Sequence, residues 1–225
     1  ISYTFTPMRY AWLDLNLNGT RTRKNLILDR FMSSFREWDK KAAVRVHQFA
    51  TISKAVSQRI QNAYQREAVI IYPPVEVDRF KPASKRDNFY ITVTRLVAHK
   101  RVDILVQAFS KLNLPLIIIG DGPELPRLKS MAASNIQFLG YQSDENVAGL
   151  LGRARGFVCA TEEDFGIAIV EAQAGGCPVI AYGKGGALET VIEGVTGVFF
   201  DEQSPESLIN ALEKIEAVHT HFCIS

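Results

Sequence analysis

Two carboxylates, Glu163 and Glu171, stand eight residues apart around a Phe165-Gly166 step. The apolar run Gly156-Phe157-Val158-Cys159-Ala160 precedes them as a strand, and an apolar helix pattern opens near Gly166. A glycine at a helix start leaves backbone N–H groups that can meet a phosphate. Ionised carboxylates only accept hydrogen bonds, so hydroxyl groups rather than phosphates are their natural partners. Phosphate beside polyol is the chemistry of a nucleotide sugar. A glutamate pair at this spacing is also common on plain surface helices, so its meaning depends on what surrounds it. Gly120 and Gly122 permit close backbone approach at another turn, expected near the nucleotide.

The elements that must position these groups form a regular alternation from residue 88 onward. Residues 89–94, 116–119, 136–139, 157–160, 179–181 and 198–200 read as strands, and their near-continuous apolar character suits a parallel sheet covered on both faces. Helical patterns fall at about 101–112, 123–133, 143–153, 166–175, 186–193 and 204–216. Ser143-Asp144-Glu145 supplies an N-cap with an acidic first turn, and Ser204-Pro205-Glu206 places proline at a first helical position. Strand–helix alternation specifies a doubly wound α/β domain, whose ligands sit outside the carboxyl ends of the strands.

The earlier region differs. Residues 24–46 read as a helix with Ile27, Phe31, Phe35, Trp38 and Ala42 on one stripe. Short strands are expected at 48–52 and 68–72, flanking a helix at 53–65. Pro73-Pro74 enforces an extended path. The division expected is a partial N-terminal domain at 1–72, a linker at 73–87, a Rossmann-like domain at 88–216 and an unpatterned tail at 217–225.

Bulk properties bound the function without choosing it. The 225 residues are 47% hydrophobic and 22% charged, ordinary for a globular protein, and the net charge of +2 gives no argument for nucleic acid. Cys159, Cys177 and Cys223 are scattered and odd in number, which reads as reduced, buried thiols in a cytoplasmic protein. No metal is expected, since His219 and His221 lack acidic or Cys partners nearby in sequence. The opening residue is Ile, and the chain is expected to be part of a longer one.

The segment Glu163-Asp164-Phe165-Gly166-Ile167-Ala168-Ile169-Val170-Glu171 resembles the donor-site signature of glycosyltransferase family 4, whose members are retaining enzymes of the GT-B fold. Thr94–Asp103, Ile119–Pro123, Phe138–Tyr141 and Pro178–Gly186 agree with it in family order. Tyr3–Trp12 resembles the acceptor-side segment of the family's mannosyltransferases, those of surface-polysaccharide synthesis of the O-antigen type. The resemblance covers residues 3 to 216. It implies an α/β fold of GT-B type, with one complete Rossmann-like domain and the C-terminal part of a second.

It further implies transfer of a hexose, mannose from GDP-mannose above others, to a saccharide or lipid-linked acceptor. No resident cofactor is implied, and the nucleotide diphospho-sugar is the substrate. Glu163 would contact donor hydroxyls and Glu171 the ribose, while Phe165, Gly166 and Ile167 would present N–H groups to sugar and diphosphate. Charge growing on the departing phosphate needs cationic partners. Arg95, closing a strand, and Lys100, at the next helix start, are expected there in place of a metal. Lysine is unfavourable at a helix start, so an anion should compensate it.

Tyr141 either flanks the base or packs as a capping aromatic. Arg9 and Tyr10 either contact the acceptor or pack. Phe5 stands where the family often has His, and phenylalanine can neither transfer a proton nor donate a hydrogen bond. Helix 24–46 is basic as well as amphipathic, so it either lies peripherally on the inner face of an anionic membrane or packs its stripe inward. Two rival functions remain: a non-catalytic nucleotide-sugar-binding module, and a GT-B sugar-nucleotide epimerase, against which the Glu163/Glu171 spacing counts.

Overall fold

A computed structural model describes residues 1–12 and 26–218, without the side chains of 9, 10, 26–30, 217 and 218. Two compact units result, Ile1–Pro73 and Pro74–Ser225. The first contains β1 (Ser2–Thr4), α1 (Arg9–Trp12), α2 (Leu26–Val44), β2 (Phe49–Thr51), α3 (Lys54–Tyr64) and β3 (Ala68–Ile70). Its three strands are parallel in the order β1-β2-β3. Strand β1 was not expected, because Ser2-Tyr3-Thr4 carries no apolar run; its pairing with β2 defines it.

Helix α2 packs differently from its sequence pattern. Phe31 and Trp38, members of the apolar stripe, are 62% and 61% exposed. Ala43 is buried, Phe35, Asp39 and Ala42 are half-buried, and the exposed Arg36 donates to the Ala11 carbonyl. Asp39 accepts from Trp12 Nε1 at 2.7 Å and from the Tyr64 hydroxyl at 2.9 Å. Two aromatic donors needing an acceptor turn the carboxylate toward the unit. Of the stripe, Phe31 and Trp38 face outward, Phe35 and Ala42 are half-buried, and the side chain of Ile27 lies outside the described ones.

The second unit begins with a 3-10 turn at Val77–Arg79 and continues β4 (Tyr90–Val93), α4 (Val102–Leu112), β5 (Leu116–Ile119), α5 (Leu125–Met131), β6 (Ile136–Gly140), α6 (Asp144–Arg153), β7 (Gly156–Cys159), α7 (Ile167–Ala174), β8 (Val179–Tyr182), α8 (Ala187–Thr190), β9 (Gly197–Phe200) and α9 (Pro205–Val218). Within the stretch 73–87, Phe80 is buried and Ala83 and Asp87 donate to the carbonyls of Gly152 and Arg153, so this stretch is packed onto the unit.

All six strands are parallel, in the order β6-β5-β4-β7-β8-β9. Alternation along each strand divides the core between two faces. Tyr90, Val158 and Ile180 meet α4 and α9 through Leu105, Phe109, Leu208 and Leu212. Ile91, Phe157 and Val179 meet α6 and α7 through Leu151, Ile169 and Ala172. Chain order reverses between β4 and β7, and a doubly wound sheet opens a crevice at such a switch point.

Candidate functional site

The segments leaving β4 and β7 face each other across that switch point. Lys100 ends a 3-10 turn at Ala98–Lys100, just before α4. Its Nζ donates to Glu163 Oε1 at 2.7 Å, and both side chains are about one-fifth exposed. Glu163 is thus the anion that the lysine's position required. Arg101, between that turn and α4, holds φ at +50°, a conformation non-glycine residues seldom adopt. Thr161, buried and polar, donates to the Lys100 carbonyl at 2.9 Å and ties the two segments together.

Glu163 is held from three sides. The Gly186 N–H donates to its carbonyl at 2.7 Å, and a parallel bridge joins it to Gly185. A Cβ on Gly186 would lie 2.4 Å from Phe165 Cα, so glycine there is a condition of this contact. Behind the carboxylate lies Cys159, whose thiol is 3.7 Å from Glu163 Oε1 and is pushed up to about 12 by burial and then by the glutamate's charge. That thiol is neutral at physiological pH. Oε2 of Glu163 accepts nothing among the described residues.

Gly166 caps α7 with φ +93°, and Phe165 is buried while Ile167 is exposed. Ile169 and Val170 both donate to the Gly166 carbonyl, so the first N–H groups that the helix leaves over are those of Ile167 and Ala168. Further along α7, Glu171 Oε1 accepts from Arg79 Nη2 at 3.0 Å. Burial pushes the Glu171 carboxyl above its ordinary value, and Arg79 pulls against that rise.

The remaining predicted residues are more scattered. Arg95 follows β4 but is exposed, with no side-chain bond or ion pair among the described residues, so the geometry does not bring it onto Glu163 as it does Lys100. Gly120 and Gly122, at φ +129° and +159°, do approach backbone closely, but it is the chain's own. Added Cβ atoms would lie 1.9 Å from the Thr94 carbonyl oxygen and 2.3 Å from that of Leu96. Their visible task is to let the turn after β5 lie against the end of β4. Tyr141 is 84% exposed just past β6. Arg9 and Tyr10 begin α1, and their side chains lie outside the described ones. Phe5 is exposed with its ring edge against Tyr3.

Sequence reasoning missed Arg79, Thr161 and Asp144. Thr161 adjoins the signature, and a buried hydroxyl there had no pattern to announce it. Arg79 precedes Phe80 in a polar stretch, and only the fold brings it beside α7. Among the described residues no group of three or more His, Cys, Asp or Glu is placed to hold a metal ion, and no helix is long and apolar enough to cross a membrane. Cys223, His219 and His221 lie outside the described residues.

Residues 74–218 match the family model described as glycosyl transferases group 1. An uncharacterized glycosyltransferase of Methanocaldococcus jannaschii is 28% identical over 190 residues, covering 82% of this chain and 52% of the relative. A GDP-mannose-dependent alpha-(1-6)-phosphatidylinositol monomannoside mannosyltransferase of Mycobacterium tuberculosis is 30% identical over 196 residues, covering 73% and 51%. The chain thus spans about half the length of these curated relatives. Among solved structures, Anabaena HepE in complex with UDP and glucose superposes with a TM-score of 0.72 at 22% identity, covering 87% of this chain and 61% of that one. That likeness places the chain in the α/β fold of GT-B glycosyltransferases.

Proposed function

The chain belongs to the glycosyl transferases group 1 family, and from that premise we propose that its second unit binds a nucleotide diphospho-sugar for retaining transfer of a hexose. The observation that carries this reading is the Lys100–Glu163 pair at the β4/β7 switch point, beside the N-terminus of α7. A departing nucleoside diphosphate gathers negative charge, which Lys100, a swung-in Arg95 and the α7 N–H groups are suited to stabilise without a metal. Glu163 and Glu171 present carboxylate oxygens to sugar and ribose hydroxyls. The free Oε2 of Glu163 is available to accept from a donor hydroxyl, since Oε1 is committed to Lys100. We favour a front-face course in which the leaving phosphate assists the incoming hydroxyl.

Mannose from GDP-mannose is the proposed donor, supported by the similarity to the GDP-mannose-dependent mycobacterial relative. A UDP-sugar stands as the alternative, since HepE was solved with UDP and glucose. The acceptor is proposed to be a saccharide or lipid-linked saccharide of surface-polysaccharide synthesis. Exposed Phe31 and Trp38 on the basic helix α2 favour peripheral membrane contact, where aromatic rings enter the interface and lysines meet anionic headgroups.

Turnover tests the reading. Incubation with GDP-mannose or UDP-glucose should release GDP or UDP at a rate unchanged by EDTA, with retention of anomeric configuration in the transferred sugar. Binding without turnover would instead support a nucleotide-sugar-binding module, and C2-epimerised donor would support an epimerase. A covalent glycosyl adduct trapped on Glu163 would refute the front-face course.

A further inference from the structure

Arg79 lies outside the family signature, yet it is the one group bonded to the Glu171 carboxylate among the described residues. Its guanidinium spans three elements. Nη2 donates to Glu171 Oε1 on α7 at 3.0 Å, Nη1 donates to Asp144 Oδ2 at the start of α6 at 2.9 Å, and Glu76 lies 3.8 Å from Nη1 in the preceding chain. The stem crosses Phe80, whose ring centroid is 4.9 Å from the guanidinium carbon, and Phe80 is buried. A planar fork stacked on a ring and bonded at both ends loses little further freedom on ordering.

From this geometry we propose that Arg79 is a positioning residue for donor binding: it fixes one oxygen of Glu171 so that the other faces the ribose hydroxyls. The inference rests on the ribose role given to Glu171 above. A carboxylate on a three-bond stem loses rotamer freedom when it binds, and an arginine that fixes it beforehand removes that cost from the binding step. The arrangement leaves Glu171 Oε2 with no bond among the described residues, so accepting capacity remains for a diol. Charge acts in the same direction. Burial raises the Glu171 carboxyl, Asp144 on α6 adds to the rise, and Arg79 opposes both, favouring the charged form.

Calorimetric titration of GDP, UDP and their 2′,3′-dideoxy counterparts into wild type, Arg79→Gln, Arg79→Lys and Glu171→Gln tests it. If the inference holds, Arg79→Gln and Glu171→Gln each lose about tenfold in affinity for the tighter-binding natural nucleotide. Both variants should bind the dideoxy form as wild type does, and Arg79→Lys should recover part of the loss. Equal losses for natural and dideoxy nucleotides in Arg79→Gln would mean general disruption and overturn the positioning role. Unchanged affinity in Arg79→Gln, with loss in Glu171→Gln, overturns Arg79 alone. Unchanged affinity in Glu171→Gln, or no binding of either nucleotide by wild type, overturns the ribose reading beneath it.

Discussion

The two ends of the six-stranded sheet use similar groups for different ends. At the amino end, Tyr90 and Arg155 both donate to the Glu216 carboxylate, tying β4 and β7 to α9, and burial with the nearby carboxylate holds the Tyr90 phenol well above its ordinary range. Both carboxylate oxygens are used there. At the carboxyl end, Glu163 and Glu171 each spend one oxygen on a cation and keep the other. The backbone differs as well. Positive φ occurs at both ends, at Asn113, Gly176 and Gly194 as well as at the carboxyl end. At the carboxyl end, Gly120, Gly122 and Gly185 use it to pass so close to a neighbour that an added Cβ would lie within 2.3 Å of a carbonyl oxygen. A polar cluster that satisfies itself locks a fold, whereas one that keeps capacity in hand is equipped for a ligand.

The largest expected effect falls on the carboxyl end. Gly186→Ala places a methyl group 2.4 Å from Phe165 Cα and 2.6 Å from its carbonyl oxygen, so the Glu163–Gly166 segment must move. Turnover should fall by about 100-fold or more, as small misplacements of catalytic groups do. A kinetic assay showing near-wild-type turnover would break the contrast, since the clamp would then be dispensable.

At the amino end, Glu216→Gln should lower stability by about 1–3 kcal/mol by weakening the bonds to Tyr90 and Arg155. Chemical denaturation measures this, and the folded variant should keep wild-type nucleotide affinity. Affinity lost in step with stability would erase the functional difference between the two ends.

A smaller effect concerns pH. The cation beside Glu171 lowers a carboxyl that burial raises, so removing it leaves the folded carboxyl higher still. Protonation then removes an acceptor at a higher pH. The acid limb of nucleotide binding should therefore move upward in pH in Arg79→Gln. Binding profiles of wild type and variant across the acid limb would show it. The smallest effect is expected on helix α2. Phe31→Ser with Trp38→Ser should leave stability within about 0.5 kcal/mol, as exposed sites do, while reducing flotation with anionic vesicles at low salt.

Much of this contrast was legible in the chain itself. Apolar runs such as Leu116–Ile119 and Val179–Tyr182 announce buried parallel strands, and Ser143 announces the start of α6 through its cap. Glu163 and Glu171 were visible because glycine, aromatic and carboxylate recur in a fixed local order. Arg79 was hidden because its partners lie 65 and 92 residues away, and a long-range ion pair leaves no local period. Arg95 and Lys100 looked equivalent in sequence, and only the turn geometry separates the paired lysine from the exposed arginine. On α2 the apolar period alone left open which way the stripe faces, and the position of Asp39 depends on Trp12 and Tyr64, which are distant in sequence.

The most direct test of the central claim, that the β4/β7 switch point holds a nucleoside diphosphate, is titration of GDP and UDP into wild type and Lys100→Ala. Loss of a charge-assisted phosphate contact should weaken the preferred nucleotide by about 1.5–3 kcal/mol, or roughly ten- to a hundredfold, with the fold retained by circular dichroism. Arg95→Ala should weaken it in the same sense. Affinity unchanged in both variants would contradict the assignment and place the diphosphate elsewhere.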